Sequence, residues 1–374
     1  MRRPTLLLTL ALAAGCASLQ TERLMPPDAG VAPAPPLAER WSRNLDAAAG
    51  PAAPQVFDGV VLVATRKGDL VAVDAASGRI RGRGSFGQSI EGPFATSAAG
   101  DAAYVPLAKP GQIVAHSLRG GDRLWRWRAD GPGATADAGL VLSGEAVVAP
   151  LGNGLVVGLD RADGTVRWTV RPDTLARFVA APVVLPGGAV AVADDRGRVR
   201  ALAPETGEIL WTRDVGAPVG HAPAVDAAAA ALLVPTTRGD LVALDARTGA
   251  ERWRAALGRG DRVAPRVATP GVGGGLAVVG ATNGHLAAVD VASGAPRWAR
   301  TFDDHVNGAP LVADGRVYLG TSGERVLVLD AATGDTLWES TVRGRVKSAV
   351  AGADGVVYVL SEPRHLIAFE PAAP

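Results

Sequence analysis

The chain has 374 residues, with 38 Lys and Arg against 37 Asp and Glu, and this net charge of +1 lacks the basic footprint of a nucleic-acid-binding protein. Its hydrophobic fraction of 48% is that of a folded protein, and 47 Gly with 27 Pro make about one residue in five a turn former. A single Cys excludes an internal disulfide and a zinc site of the CxxC kind.

At the N-terminus Arg2 and Arg3 precede an apolar run from Leu6 to Ala14, followed by small residues up to Cys16. This is the charged start, short apolar core and small-residue cleavage site of a secretory signal. The run is well short of the roughly 20 apolar residues that a membrane-spanning helix needs. Residues 12–16, LAAGC, resemble the bacterial lipoprotein box, with Ala13 standing where that pattern prefers Leu. The resemblance implies that residues 1–15 are a lipoprotein signal peptide and that Cys16 is lipidated. Ala17 in place of Asp after the Cys implies sorting to the outer membrane, with the protein facing the periplasm. Several acyl chains anchor stably, since each buried CH₂ contributes ~0.8 kcal/mol. Residues 16–38 carry Pro26, Pro27, Pro33, Pro35 and Pro36 with few large apolar side chains, and read as an extended, lipidated tether.

From residue 39 to residue 374 the chain repeats one motif. GDLVALDARTGAERW ends at Trp253, GHLAAVDVASGAPRW at Trp298 and VLVLDAATGDTLW at Trp338; related copies end at Trp125, Trp168 and Trp211, and one carries Gly82 where the Trp should stand. The anchor positions are Asp74, Ser117, Asp160, Ala203, Asp245, Asp290, Asp330 and Glu370, spaced by 43, 43, 43, 42, 45, 40 and 40 residues. Each unit reads as four short strands. In the fourth, apolar runs at 182–185 and 190–193 flank the turn Pro186-Gly187-Gly188, residues 199–202 alternate with arginine as a half-exposed strand does, and 209–212 form the outermost strand. A Gly four residues after the anchor, as at Gly78 and Gly249, suits a turn with φ > 0, and the anchor Asp can accept from that turn's own N–H groups.

About 42 residues per four-stranded unit is the signature of a β-propeller. The last unit supplies strands near 347–351, 356–360 and 366–369 and then ends without a Trp strand; Glu39-Arg40-Trp41 supplies the missing one. The prediction is therefore an all-β fold, a single eight-bladed propeller closed by an N-terminal strand that completes the last blade and removes the free edge. The seven repeat-end tryptophans read as blade-to-blade packing, and Trp127 as rim or surface packing.

The repeat G-x-L-x-A-L-D-x-x-T-G-x-x-x-W resembles the blade signature of propellers related to the PQQ quinoprotein dehydrogenases. Eight such blades behind a lipoprotein box resemble the BamB family of outer-membrane β-barrel assembly lipoproteins, over nearly the whole chain after the signal. The resemblance implies a non-enzymatic scaffold of the barrel-assembly (BAM) complex, without a cofactor. Its implied partners are the periplasmic POTRA domains of BamA, other assembly components and unfolded outer-membrane proteins, with the membrane reached through the lipid. In that family the loops from a Trp strand to the next blade's inner strand carry the contacts. On the loop RPDTLARFVAAP the contact arginine falls on Arg177, and Leu175 lies between Thr174 and Ala176, where the contact leucines fall. On GRGDRVAPRVATP an Asp-Arg pair is kept as Asp261 and Arg262, while the family's two acidic contacts fall on Pro265 and Val267. The candidate partner-binding residues are thus Arg177, Leu175, Arg262 and Asp261.

Two other readings share the fold. A tethered propeller could bind a different envelope partner or a ligand in its channel. A quinoprotein dehydrogenase would use the same blades, but that family is longer, with an adjacent Cys-Cys disulfide that one Cys cannot form and acid-rich calcium-binding insertions missing here. Asp303-Asp304-His305 and His221 lie in inter-blade loops and read as solvated turns. No catalytic motif of the zincin, nucleophile-elbow, Walker or dinucleotide-binding kind is present, and the Gly-rich run from Gly271 to Gly275 has no helix behind it to cradle a phosphate.

Overall fold

Short apolar runs punctuated by Gly turns every few residues fold as strands and hairpins rather than helices. In the computed structural model, which describes residues 19, 32–57, 59–171, 176–257 and 266–373, they form eight four-stranded antiparallel sheets. Blades 1 to 7 span 55–85, 95–128, 141–170, 183–214, 224–256, 271–301 and 311–341. Blade 8 is built from Ala351–Ala353, Val356–Ser361 and His365–Pro371, and its fourth strand is Leu37–Asn44, paired antiparallel with His365–Pro371. The inner strand of blade 8 lies beside that of blade 1, Gln55–Phe57, which closes the ring.

Both faces of a blade are covered by neighbouring blades. The second strands are therefore buried throughout, as in Val60–Ala64, Ala146–Pro150 and Ala231–Pro235. The outermost strands instead alternate between exposed and half-buried residues, as in Pro296–Thr301 and Thr336–Thr341.

One contact is repeated at six blade junctions. The indole N–H of each outer-strand Trp donates to the carbonyl of the residue after the next blade's anchor position: Trp41 to Ala75 at 3.0 Å, Trp125 to Arg161 at 3.0 Å, Trp168 to Pro204 at 2.7 Å, Trp211 to Ala246 at 3.3 Å, Trp253 to Val291 at 2.8 Å and Trp298 to Ala331 at 2.8 Å. The ring lies on the turn glycine of that next blade. A Cβ on Gly78 would sit 2.6 Å from Trp41, in a backbone with φ of 68°. That glycine is thus required twice, by the left-handed turn and by the approach of the indole. The anchor carboxylates cap the same turns: Asp74, Asp245, Asp290 and Asp330 accept from the N–H groups of Ser77, Thr248, Ser293 and Thr333 at 2.7, 2.8, 2.9 and 2.9 Å.

Two local expectations differ from the structure. The third strand of blade 4, Arg198–Leu202, is buried from Val199 onward rather than half-exposed. Its alternate residues face the adjacent blade, not water. Arg200 is 3% exposed and survives there because its guanidinium meets the fully buried Asp194 at 2.7 Å. The inner strand of blade 8 begins at Ala351, four residues later than expected, because Val346 and Val350 bond instead to the Thr321 and Ala309 carbonyls of the preceding blade and loop. At the end of the segment read as a tether, the Ala32 N–H donates to Asp314 at 2.6 Å and the Tyr318 hydroxyl donates to the Pro33 carbonyl at 2.7 Å. The chain is thus already held on blade 7 before the closing strand begins.

Candidate partner-binding rim

In a four-stranded meander the connections alternate between the two ends of the blade. The anchor turns and first hairpins lie on one rim of the ring. The inter-blade loops and the turns between second and third strands lie on the other.

On that second rim each loop is pinned to a neighbouring turn. The Arg177 N–H donates to the Asp195 carboxylate at 2.9 Å, and the Asp195 N–H returns a bond to the Arg177 carbonyl at 3.0 Å. Arg266 and Thr282 are joined in the same way, as are His305 and Ser322. The turn under Arg177 is held by the buried pair described above: Asp194 accepts from the N–H groups of Arg196 and Arg198 at 3.0 and 2.9 Å as well as from Arg200. Side chains alternate along the loop, with Ala176 and Phe178 buried and Arg177 and Val179 exposed. Phe178 packs in the core between blades 3 and 4. The backbone of Arg177 is therefore fixed, while its guanidinium has no hydrogen bond or ion pair among the described residues.

Arg177 and Val179 border an open groove of about 570 Å³ whose other wall carries Lys109, Thr135, Asp137 and Asn153 from blades 2 and 3. One carboxylate oxygen of Asp137 is buried without a donor among the described residues. The groove thus offers two cations and an exposed apolar side chain, a surface suited to recognising a polar protein surface. None of Lys109, Asp137 or Asn153 was singled out in the sequence. They come from different repeats, and only the side-by-side packing of blades 2, 3 and 4 brings them beside Arg177.

Of the other predicted positions, Leu175, Asp261, Arg262 and Cys16 lie outside the described residues. Val267 is 3% exposed and bridges to Ala281, so it faces the core. Arg266, beside it, is exposed on the rim. Burial and the Arg266 charge both lower the pKa of His221, which favours its neutral form. In the Asp303-Asp304-His305 loop, Asp304 is paired with Arg325 at 2.7 Å. Among the described residues no cluster of three His, Cys, Asp or Glu could hold a metal ion, and no helix is long and apolar enough to cross a membrane.

The sequence profile described as outer membrane protein assembly factor BamB, of the PQQ type, matches residues 36–177, 153–235, 237–341 and 312–373. The chain belongs to the BamB family. Outer membrane protein assembly factor BamB of Yersinia pestis is 28% identical over 220 residues, covering 53% of this chain and 54% of that protein. The Vibrio cholerae BamB is 28% identical over 261 residues, covering 66% and 67%. The match thus spans about half to two thirds of these BamB proteins. The crystal structure of BamB from Moraxella catarrhalis superposes with a TM-score of 0.72 at 20% identity, covering 89% of this chain and 99% of that one. A europium-containing methanol dehydrogenase superposes with a TM-score of 0.74 at 12% identity. These structural likenesses establish the propeller, which BamB shares with quinoprotein enzymes, and not an activity.

Proposed function

We propose that this protein is a non-enzymatic, periplasm-facing scaffold of outer-membrane β-barrel assembly, anchored through lipid on Cys16. Its inter-blade rim docks on the POTRA domains of BamA and holds them, or the strands of incoming barrel proteins, in position for insertion. The observation that carries the reading is Arg177: its backbone is clamped by Asp195, while its guanidinium is exposed over the groove and unpaired among the described residues. An arginine held this way loses little further backbone freedom on binding, and arginine is enriched among residues that dominate interfaces. Leu175, Asp261 and Arg262, which the sequence assigns to inter-blade loops, are the further contacts of this reading.

The test is affinity capture of the lipidated protein from detergent-solubilised envelopes, with wild type compared to Arg177→Glu combined with Arg262→Glu. The expected result is recovery of the barrel-assembly core by wild type and its loss in the variant. Because Arg177 is exposed, Arg177→Glu alone should change folding stability by no more than about 0.5 kcal/mol. Capture of a different envelope protein would replace BamA as the partner, and capture unchanged by the charge reversals would remove Arg177 and Arg262 from the site.

A further inference from the structure

The junction between blades 1 and 2 is the one where the repeat has no tryptophan: Gly82 stands in its place on the outer strand Ile80–Ser85. At the six junctions described above an indole lies on the next blade's turn glycine. Here a different residue enters from far away in sequence. Leu19 is 1% exposed and packs in the core shared by blades 1 and 2, with Leu62, Leu70, Val114 and Leu118. Its side chain reaches within 3.1 Å of where a Cβ on Gly84 would lie, and its carbonyl is 3.4 Å from Nε2 of His116. Leu19 thus enters the cleft beside Gly84 and Gly121, on the side of the blade where the indole is missing.

The same junction has an unusual charge pattern. On the outer strands of blades 3, 5 and 6, Arg167, Arg252 and Arg297 pair with the anchor aspartates of their own blades, and Arg213 on blade 4 pairs with Glu251. Blade 2 has Ser117 as its anchor, and Arg123, Arg126 and Arg128 on its outer strand are exposed without an ion pair or hydrogen bond among the described residues. Asp122 and Asp130 are the exposed acids nearest to them in sequence, and Leu124 is exposed between the arginines. Arg123 and Arg126 line the cleft that holds Leu19.

We infer that Leu19 docks the lipidated N-terminus in the cleft beside Gly84 and Gly121 and so turns the outer edge of blade 2 toward an anionic phospholipid surface. This rests on the proposed lipidation of Cys16. Cys16 is three residues before Leu19, and covalent geometry keeps its Cα within roughly 11 Å of that of Leu19. A lipid on Cys16 therefore enters the bilayer beside blades 1 and 2, not at the end of a free tether of twenty residues. Each unpaired Arg near an anionic surface adds attraction, and the exposed Leu124 can enter the interface.

The test uses the full lipidated chain in vesicles of phosphatidylethanolamine and phosphatidylglycerol carrying a headgroup-linked energy acceptor. A dye is placed on blade 2 at Asp130→Cys or on the opposite blade 6 at Ala299→Cys; lipidation occupies the native thiol, so labelling is site-specific. Intact mass first reports whether Cys16 carries lipid, and an unlipidated Cys16 overturns both the anchor reading and this inference. With lipid present, stronger transfer from the blade 2 dye than from the blade 6 dye is expected, and equal transfer overturns the docking while leaving the anchor intact. The difference should be lost in Gly82→Trp, which places an indole at this junction as at the others, and in Leu19→Asp. A difference that survives Gly82→Trp overturns the role of Leu19. Reversing Arg123, Arg126 and Arg128 to Glu should reduce the difference, and no change on reversal overturns the choice of an anionic surface.

Discussion

The indole N–H of Trp41 donates to the carbonyl of Ala75 at 3.0 Å, and these two residues join the last blade to the first. Trp41 belongs to the strand Leu37–Asn44, which completes blade 8, and Ala75 follows the anchor of blade 1. The ring of Trp41 also lies 6.0 Å from that of Tyr358 within blade 8. Ring closure therefore combines a sheet pairing, a hydrogen bond and an aromatic contact on one side chain. Trp41→Ala should destabilise the whole ring by about 3 kcal/mol, as large-to-small aromatic truncations do. Trp127→Ala, which removes no junction indole, should cost less. Urea unfolding of both variants checks the difference.

Arg200 and Asp194 are buried together, so removing one partner leaves an uncompensated charge. Arg200→Ala should lose about 3–5 kcal/mol, whereas the double change Arg200→Met with Asp194→Asn should recover much of it. Because Asp194 also holds the turn under Asp195 and Arg177, the single variant should speed amide hydrogen exchange at residues 195–198. A double-mutant cycle with exchange measured by mass spectrometry tests both effects.

The anchor carboxylates set an acid limit. Burial would raise the Asp74 pKa, but hydrogen bonds from Ser77 and Arg81 outweigh it and hold it down to about 2; at Asp290, Arg297 and then Ser293 hold it to about 2. A carboxylate with a lowered folded pKa contributes stability that is fully present above its unfolded value near 3.9 and is lost as pH falls toward the folded one. The propeller should thus lose stability between about pH 4 and pH 2. Asp290→Asn should flatten that branch of the melting temperature against pH.

His116 gives a second window at milder pH. Burial lowers its pKa below 6.5, and the bond to the Leu19 carbonyl only partly offsets this. The folded state therefore favours the neutral ring. Its contribution is fully present above 6.5 and is lost as pH falls below that value, because the unfolded chain takes up the proton first. Melting temperatures taken from neutral pH downward should fall less steeply in His116→Gln than in wild type.

Much of the architecture is legible in residue order alone. Repeat spacing counts the blades, the left-handed glycine marks each third turn, and a Trp strand at the front paired with a missing one at the end closes the ring. These are local or periodic features, and each strand's pattern is set by its own blade. Arg198–Leu202 shows where that reasoning stops: alternation with arginine signals exposure only if one face meets water, and here both faces are buried between blades, with Arg200 paired to Asp194 of its own blade. The groove was hidden for the same reason, since Lys109, Asp137 and Arg177 are separated by whole strands and meet only where consecutive blades pack side by side.

Gly82 and Leu19 divide the two kinds of information most clearly. The sequence by itself determined that one blade lacks its tryptophan, because a fixed period exposes an exception wherever it falls. Only the tertiary structure decided what packs beside that strand. Leu19 lies in a segment with no repeat, no strand pattern and no spacing relation to blade 1. Packing rewards any apolar side chain that reaches an apolar void, whatever its distance along the chain, and sequence order carries no record of which one will.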